Sequence, residues 1–173
     1  MNATNLFGHP DAGAGATFPI EGYRTHLYRS WGPGKRLCVI GQNPSRATAI
    51  ISDGTITRCV SRARSMGFDG LDMVNLYPLV TPYPDELFAH PDPLGLAHGI
   101  SADAAIMARA GIAGMVIAAW GGDRRQAARV EHVKALLSER GIAVHALGFT
   151  KDGSPRHPSR LAYSVQPEIW RWS

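Results

Sequence analysis

Amide and imidazole side chains stand where short apolar segments of this sequence end. Gln42 and Asn43 follow the first segment, Asn75 closes the second, and His157 lies in a turn-rich basic stretch after the fourth. Amides neither titrate nor bind metals well, so they suit recognition of a neutral heterocycle or the positioning of water. A histidine on such a loop can approach an anion. These residue types predict a site that recognises a polar ring.

Asn75 is the most informative of these residues, because an amide at the end of an apolar strand would be partly buried. A buried amide offers a donor and an acceptor, which can pair with the C=O and N–H edge of a pyrimidine. Each feature alone also has an ordinary explanation, since Asn-Pro-Ser is common in turns and a loop histidine is commonly inert. Their conjunction at successive strand ends favours a site.

The elements that must position these residues are strands and helices in alternation. Near-continuous apolar runs, typical of buried parallel strands, cover 37–40, 71–76, 115–119 and 143–147. Helical periodicity covers 56–66 before Gly67, 101–111 and 124–140. We therefore predict an α/β fold, a three-layer α/β/α sandwich with a central, mainly parallel four-stranded sheet. Ligands bind such sheets at the carboxyl ends of the strands.

Length and composition fit one domain over residues 1–173, with residues 1–22 as a loosely ordered N-terminal arm. Two cysteines exclude a disulfide framework and any four-cysteine zinc or iron–sulfur site within the chain. No apolar run could span a membrane and no secretory signal is evident, so we expect a cytoplasmic protein. The proline-rich loop over 78–93 is expected to be a rigid surface connection, or one wall of a site.

Several enzyme classes lack their sequence motifs here. The chain has no dinucleotide-binding glycine fingerprint, no P-loop, no zinc-deaminase signature and no His-Glu-x-x-His. The net charge of +4 permits an anionic partner without requiring one.

From about residue 37 to 161 the sequence resembles the uracil-DNA glycosylase superfamily. GQNPS at 41–45 resembles its first motif, and HPSRL at 157–161 resembles its last. NLYPL at 75–79 is similar to the segment that bears the pyrimidine-reading asparagine, and VIAAWGG at 116–122 is similar to the Leu-Trp-Gly strand end. The resemblance implies a cofactor-free, metal-free, monomeric enzyme that flips uracil or a related base from DNA and hydrolyses its N-glycosidic bond.

The resemblance also implies residue roles. Asn43 would hold the attacking water and His157 would donate to the departing base, while Gln42 and Asn75 would bind that base. Leu161 would fill the vacated stack. The remaining DNA contacts implied by the resemblance come from Pro44, Ser45, Ser159 and Arg160.

Three departures from that superfamily bear on activity. Asn43 stands where the most active branch has Asp and cannot accept a proton, so the water is oriented rather than deprotonated, unless Asp53 serves instead. Ser45 replaces a crowding Tyr, which predicts a broader range of bases. The stacking aromatic expected near Ile56 is absent, which leaves Tyr77, Phe149 or the Arg58 guanidinium as substitutes.

The sequence is also similar to an uncharacterised bacterial family with Asn-Pro-Ser, Asp-x-Thr-x-x-Arg and His-Pro motifs, here at 43–45, 53–58 and 157–158. That similarity carries no activity. Two alternatives to a glycosylase therefore stay open: an inactive or weakly active protein that binds damaged bases or single-stranded DNA, and an α/β hydrolase acting on modified nucleosides. Two groups of basic residues are candidate phosphate contacts: Lys151, Arg156 and Arg160 around the histidine, and Arg58, Arg62 and Arg64.

Overall fold

The four apolar segments form neighbouring strands of one larger sheet. The computed structural model describes residues 12–172. The strands are β1 Gly13–Thr17, β2 His26–Ser30, β3 Arg36–Gly41, β4 Gly70–Asn75, β5 Met115–Ala118, β6 Val144–Ala146 and β7 Glu168–Ile169. They lie in the order β1-β2-β4-β3-β5-β6-β7.

The α/β class is confirmed, but the expectation of a mainly parallel four-stranded sheet is wrong. The four predicted strands pair in parallel at the centre, and β1, β2 and β7 add three antiparallel pairings around them. Strand β2 gave no apolar signal because it buries His26 and Arg29 among its five residues. Strand β7 has two exposed residues. Neither composition produces the apolar run by which buried strands are recognised.

The predicted N-terminal arm is only partly within the described residues. Residues 1–11 lie outside them, and Gly13–Thr17 forms a regular edge strand rather than a loose segment. Gly15 lies close to the Tyr28 side chain of β2, because a Cβ at Gly15 would lie 2.5 Å from the Tyr28 ring. The glycine at this position therefore reflects a close approach between the two strands.

Two of the four helices begin at residues whose side chains cap them. The helices are α1 Gly54–Ser65, α2 Pro84–Ala89, α3 Ala102–Ala110 and α4 Ala127–Glu139. Asp53 and Ser101 cap α1 and α3 by accepting backbone N–H groups, and Gly67 follows α1 with a φ of 78°. Three of the helices confirm the periodicity, whereas α2 forms inside the proline-rich loop, where Pro84 is tolerated in the first turn.

Helices cover both faces of the sheet, because alternate strand residues point to opposite sides. Leu37 and Val39 of β3 belong to the core cluster that includes Ile56 of α1. Cys38 and Ile40 belong to the opposite cluster, with residues of α2, α3 and α4. Both cysteines are buried free thiols whose pKa values burial raises. No helix within residues 12–172 is long and apolar enough to cross a membrane.

Candidate functional site

A cavity of about 190 Å³ opens where β3, β4 and β5 end. Half of the predicted site residues line it together: Gln42, Asn43, Ser45, Asp53, Asn75 and His157. The rest of the lining is contributed by Arg24, Gly41, Thr55, Ile56, Met73, Thr81, Pro82, Pro84 and Trp120. The proline-rich loop thus supplies one wall, and segments from all four strand ends meet around a single space.

Asn75 is buried with nothing attached to its amide. It is 3 % exposed, and no described residue hydrogen-bonds to its Nδ2 or Oδ1. A buried polar group without a partner costs about 1–3 kcal/mol, so such groups in cavities commonly await a ligand or water. Gly41, its register neighbour on β3, makes room for it, because a Cβ there would lie 2.8 Å from Asn75 Oδ1.

The Asn43 side chain is fixed by backbone carbonyls. Its Nδ2 donates to the oxygens of Pro44 at 3.0 Å, Thr81 at 2.7 Å and Leu79 at 3.3 Å. These bonds join the loop after β3 to the proline-rich loop and leave Oδ1 as the remaining polar atom of the amide. An oxygen held in this way can accept a hydrogen bond from water but cannot take its proton.

Gln42 belongs to a chain of amides that reaches the end of β5. Its Nε2 donates to Gln126 Oε1 at 3.1 Å, and Gln126 Nε2 donates to the oxygens of Gly121 at 2.9 Å and Trp120 at 3.3 Å. Gln126 is 2 % exposed and was missed from the sequence, where it reads as one polar residue of an amphipathic helix. The chain fixes the cavity wall at Gln42.

His157 stands at the cavity rim with a defined tautomer. Its Nδ1 accepts the backbone N–H of Ser159 at 3.3 Å and lies 2.8 Å from Ser159 Oγ. Because a backbone N–H only donates, the neutral ring carries its proton on Nε2. Desolvation by the surrounding protein lowers the pKa of His157, against the opposing effect of the Asp53 charge. The ring is therefore a neutral N–H donor at pH 7.

Asp53 joins the start of α1 to the cavity. Its Oδ1 accepts the Ile56 N–H at 2.9 Å, which caps the helix. Its charge acts on Arg24, Arg29 and His157. Asp53 lines the cavity, as its predicted alternative role in holding the attacking water requires.

Arg24 is a lining residue that sequence reasoning missed. It is 2 % exposed, its Nη1 donates to Ala47 O at 2.7 Å, and its Nε has no partner among the described residues. Desolvation lowers its pKa to about 10, with Asp53 opposing and Arg29 adding to the shift. The sequence gives no signal here, because a single arginine outside any apolar run reads as a surface residue.

The proposed stacking residues lie outside the cavity lining. Tyr77 is 7 % exposed in the opposite core cluster, with its ring edge-on to Phe88 at 5.7 Å. Arg58 donates to Leu161 O at 3.1 Å, and its guanidinium covers the Tyr163 ring. Phe149 packs against Trp170 at 5.8 Å. None of these three residues lines the cavity, so base stacking by one of them stays a prediction. Among the described lining residues, Trp120 contributes an indole ring.

The predicted DNA-contacting residues beyond Ser45 lie in different environments. Pro44 is buried, and Leu161 packs against the cluster beneath α1. Ser159 is bonded to His157, while Arg160 is exposed in the same turn. None of the four lines the cavity.

The two basic groups differ in availability. Arg62 is 3 % exposed and donates to three carbonyls of the C-terminal segment, at Leu161, Ala162 and Val165. Arg64 covers the Trp31 ring at 4.4 Å. Because Arg58 also binds this segment, the expected second patch is largely an internal clamp. The residues beside the histidine remain exposed: Lys151, Arg156 and Arg160.

The described chain, residues 12–172, gathers no three His, Cys, Asp or Glu side chains in a way that could hold a metal ion. Searches of curated proteins and of solved structures gave no match. One family model, "Protein of unknown function (DUF1643)", matches residues 24–159. That range includes every residue lining the cavity, from Arg24 to His157. The chain therefore belongs to the DUF1643 family.

Proposed function

We propose that this protein is a monofunctional DNA glycosylase that takes uracil, or a related damaged base, into the cavity and hydrolyses its N-glycosidic bond. The observation that carries the proposal is the buried Asn75 amide, whose donor and acceptor both lack partners within residues 12–172. A pyrimidine edge with one C=O and one N–H satisfies both groups at once. A cavity of about 190 Å³ corresponds to roughly six waters, the scale of a single base.

The chemistry follows from the groups around that amide. Breaking the bond leaves negative charge on the base and positive character on the sugar, so a neutral N–H donor at a base oxygen lowers the barrier. His157 Nε2 supplies that donor, and Asn43 Oδ1 orients the water. Asp53 can accept the water's proton or stabilise the sugar cation. The reaction needs no cofactor, and we place it in the cytoplasm, where thiols such as the two buried cysteines stay reduced.

The test is a panel of oligonucleotides that each carry one altered base, incubated with excess protein and then cleaved at abasic sites by alkali. Strands that contain uracil are expected to break. Strands with hypoxanthine or xanthine are further candidates, because the small side chain of Ser45 leaves space in the cavity for a larger base. His157→Ala is expected to slow the reaction by about 10²–10³-fold, as for loss of one transition-state donor. Asn75→Ala is expected to slow base release by at least about 100-fold. His98→Ala, an exposed histidine outside the cavity, is the matched control.

A second candidate is hydrolysis of free modified nucleosides. The observation that favours it is the internal engagement of Leu161, Arg58 and Arg62, which leaves few of the expected DNA contacts available. The same panel distinguishes the two when nucleosides are added as substrates. Release from nucleosides without release from DNA supports this second candidate, and salt-dependent DNA binding without release from either supports a binding protein. No release and no binding would reject all three.

A further inference from the structure

Arg24 places a permanent positive charge in the wall of the cavity. The residue is 2 % exposed, and the loop carbonyl of Ala47 accepts a hydrogen bond from its Nη1. Its Nε is buried without a partner among the described residues, although the residue lines the cavity. Buried charges are ordinarily paired and fully hydrogen-bonded, so the described protein groups leave this guanidinium under-satisfied.

Arg24 lines the same cavity as the groups proposed to carry the reaction. Asp53 and His157 are in that lining too, and the charge of Asp53 acts on both Arg24 and His157. Asn75 is a neutral amide, and His157 is neutral at pH 7. Among the described lining residues Arg24 is the one Arg or Lys. Its attraction to a bound ring grows as negative charge develops on that ring, and Asp53 offsets part of this attraction.

We propose that Arg24 stabilises the negative charge that develops on the departing base, and that the cavity consequently prefers an anionic ring over its neutral analogue. The inference rests on the proposed function for its catalytic part. In the step concerned, the bond between C1′ and the base nitrogen breaks and its electron pair stays on the base. The water oxygen bonds to C1′, and the water's proton finally reaches the base nitrogen, which gives a neutral base and an abasic sugar.

Arg29 provides a matched comparison, because it is a second buried arginine close to Asp53. It is 4 % exposed but does not line this cavity, and its guanidinium donates to the loop carbonyls of Thr48, Ala49 and Ile51. Its loss disturbs the loop without removing a cation from the cavity wall. Arg24 and Arg29 variants therefore separate charge stabilisation from loop support.

The experiment compares single-turnover release of uracil and of 5-fluorouracil from otherwise identical oligonucleotides. Fluorine makes the base a better leaving group, so its departure depends less on external charge stabilisation. Arg24→Gln is expected to slow uracil release by about 10²–10³-fold and 5-fluorouracil release at least about tenfold less. Arg29→Gln should slow both bases by the same factor. Equal losses for the two bases in Arg24→Gln would overturn the inference.

Arg24→Met serves as a second variant, because it keeps the apolar length of the side chain while removing the charge and the hydrogen bond to Ala47. A binding measurement with wild-type protein needs no variant and no turnover. Barbiturate, a pyrimidine that is anionic at neutral pH, is expected to bind at least about tenfold more tightly than neutral uracil. Equal or weaker binding of barbiturate would overturn the anion preference. Barbiturate preference without base release would instead reject the proposed function and leave the Arg24 subsite standing.

Discussion

At the scale of single residues, the amide of Asn75 depends on the absence of a side chain at Gly41. The two residues are register neighbours on β4 and β3, and a Cβ at Gly41 would meet Asn75 Oδ1 at 2.8 Å and Met73 Cε at 2.9 Å. Real Cβ atoms do not approach so closely, so the amide must move. The orientation of the Asn75 side chain therefore depends on the glycine at position 41 of the neighbouring strand.

Gly41→Ala should therefore weaken uracil binding and base release by at least about tenfold, while the protein stays folded. Isothermal titration with uracil and a thermal unfolding curve measure the two quantities. Gly54→Ala is the control, since a Cβ there meets nothing within 4 Å and the substitution suits the first turn of α1. Unchanged uracil binding in Gly41→Ala would show that the amide position is irrelevant.

The lowered pKa of His157 predicts the acid limb of the pH profile. The neutral ring is the donor that carries an Nε2 proton while Nδ1 accepts from Ser159, and protonation disrupts that arrangement. Desolvation lowers the pKa below 6.5, with Asp53 opposing and Arg24 as the other charge nearby. Single-turnover rates should stay level as pH falls through 6.5 and decline only at lower pH. A decline centred above pH 6.5 would contradict the neutral-donor role.

Residues at strand ends were predictable because the parallel-strand pattern determines where they gather. Gln42, Asn43, Asn75 and His157 each follow an apolar segment, and all four line the cavity. Arg24 and Gln126 were not predictable, because burial of a polar side chain depends on distant partners that no local pattern reveals. The predicted base contact of Tyr77 stays a prediction: the residue follows the end of β4, and its ring packs in the core cluster that includes Phe88.

At the scale of elements, strand β2 supports the loop between β3 and α1. Arg29 donates to the carbonyls of Thr48, Ala49 and Ile51 and to Ser52 Oγ, so one side chain fixes a stretch that has no regular structure. The loop carries Ser45 and leads into Asp53. A strand that sequence periodicity overlooked therefore holds part of the cavity wall.

Arg29→Gln should lower the free energy of unfolding by at least about 2 kcal/mol, since several partly buried carbonyls lose their donors together. Urea denaturation measures this loss, and hydrogen exchange should show faster exchange across 48–52. Arg46→Gln, in the same loop but exposed, should change the stability by less than about 0.5 kcal/mol. Equal stabilities of the two variants would mean that the loop does not depend on Arg29.

The elements themselves were predictable where a single period dominates. The central strands and α1, α3 and α4 follow from apolar runs and helical spacing. Strands β1, β2 and β7 could not be predicted, because their composition is small, polar or very short and their pairing is decided by tertiary contacts. The sheet therefore has a predictable parallel centre and an unpredictable antiparallel periphery.

At the scale of the whole molecule, a buried ion cluster joins the antiparallel and parallel parts of the sheet. Asp72 of β4 is 1 % exposed and lies 2.7 Å from His26 Nε2 on β2 and 3.3 Å from Arg36 Nη1 on β3. Burial alone raises the pKa of Asp72, but the hydrogen bond and charge of His26, with Arg36 and Arg109, lower it overall. The ionised carboxylate is thus the stable form in the fold.

Asp72→Asn should destabilise the protein by about 1.5–3 kcal/mol at neutral pH, because His26 and the partly buried Arg36 lose their charged hydrogen-bond acceptor. A depressed carboxyl pKa contributes stability above its unfolded value of 3.8 and loses it as pH falls through the lower folded value. The difference between wild type and variant in urea denaturation should therefore shrink below pH 3.8. Asp85→Asn, at an exposed ion pair, should cost at most about 1 kcal/mol. A stability difference between wild type and Asp72→Asn that stays constant below pH 3.8 would contradict the lowered pKa of Asp72.

The basic residues behind the net charge of +4 lie partly inside the protein and partly on its surface. Arg24, Arg29 and Arg62 are internal, so much of the basic excess supports the fold or the cavity. The exposed basic residues beside His157 remain as the surface that an anionic backbone would meet. The net charge alone indicated no specific partner, whereas the positions of the basic residues separate those that support the fold or the cavity from those exposed beside His157.

We propose that the cavity at Asn75 and His157 releases a base from DNA. The most direct measurement is mass-spectrometric quantification of free uracil after excess wild-type protein, or Asn75→Ala, is incubated with one uracil-containing oligonucleotide. We expect free uracil in equal amount to abasic sites for the wild type, and at least about 100-fold slower release for Asn75→Ala. Absence of free base with the wild type, or equal release by both proteins, would contradict it.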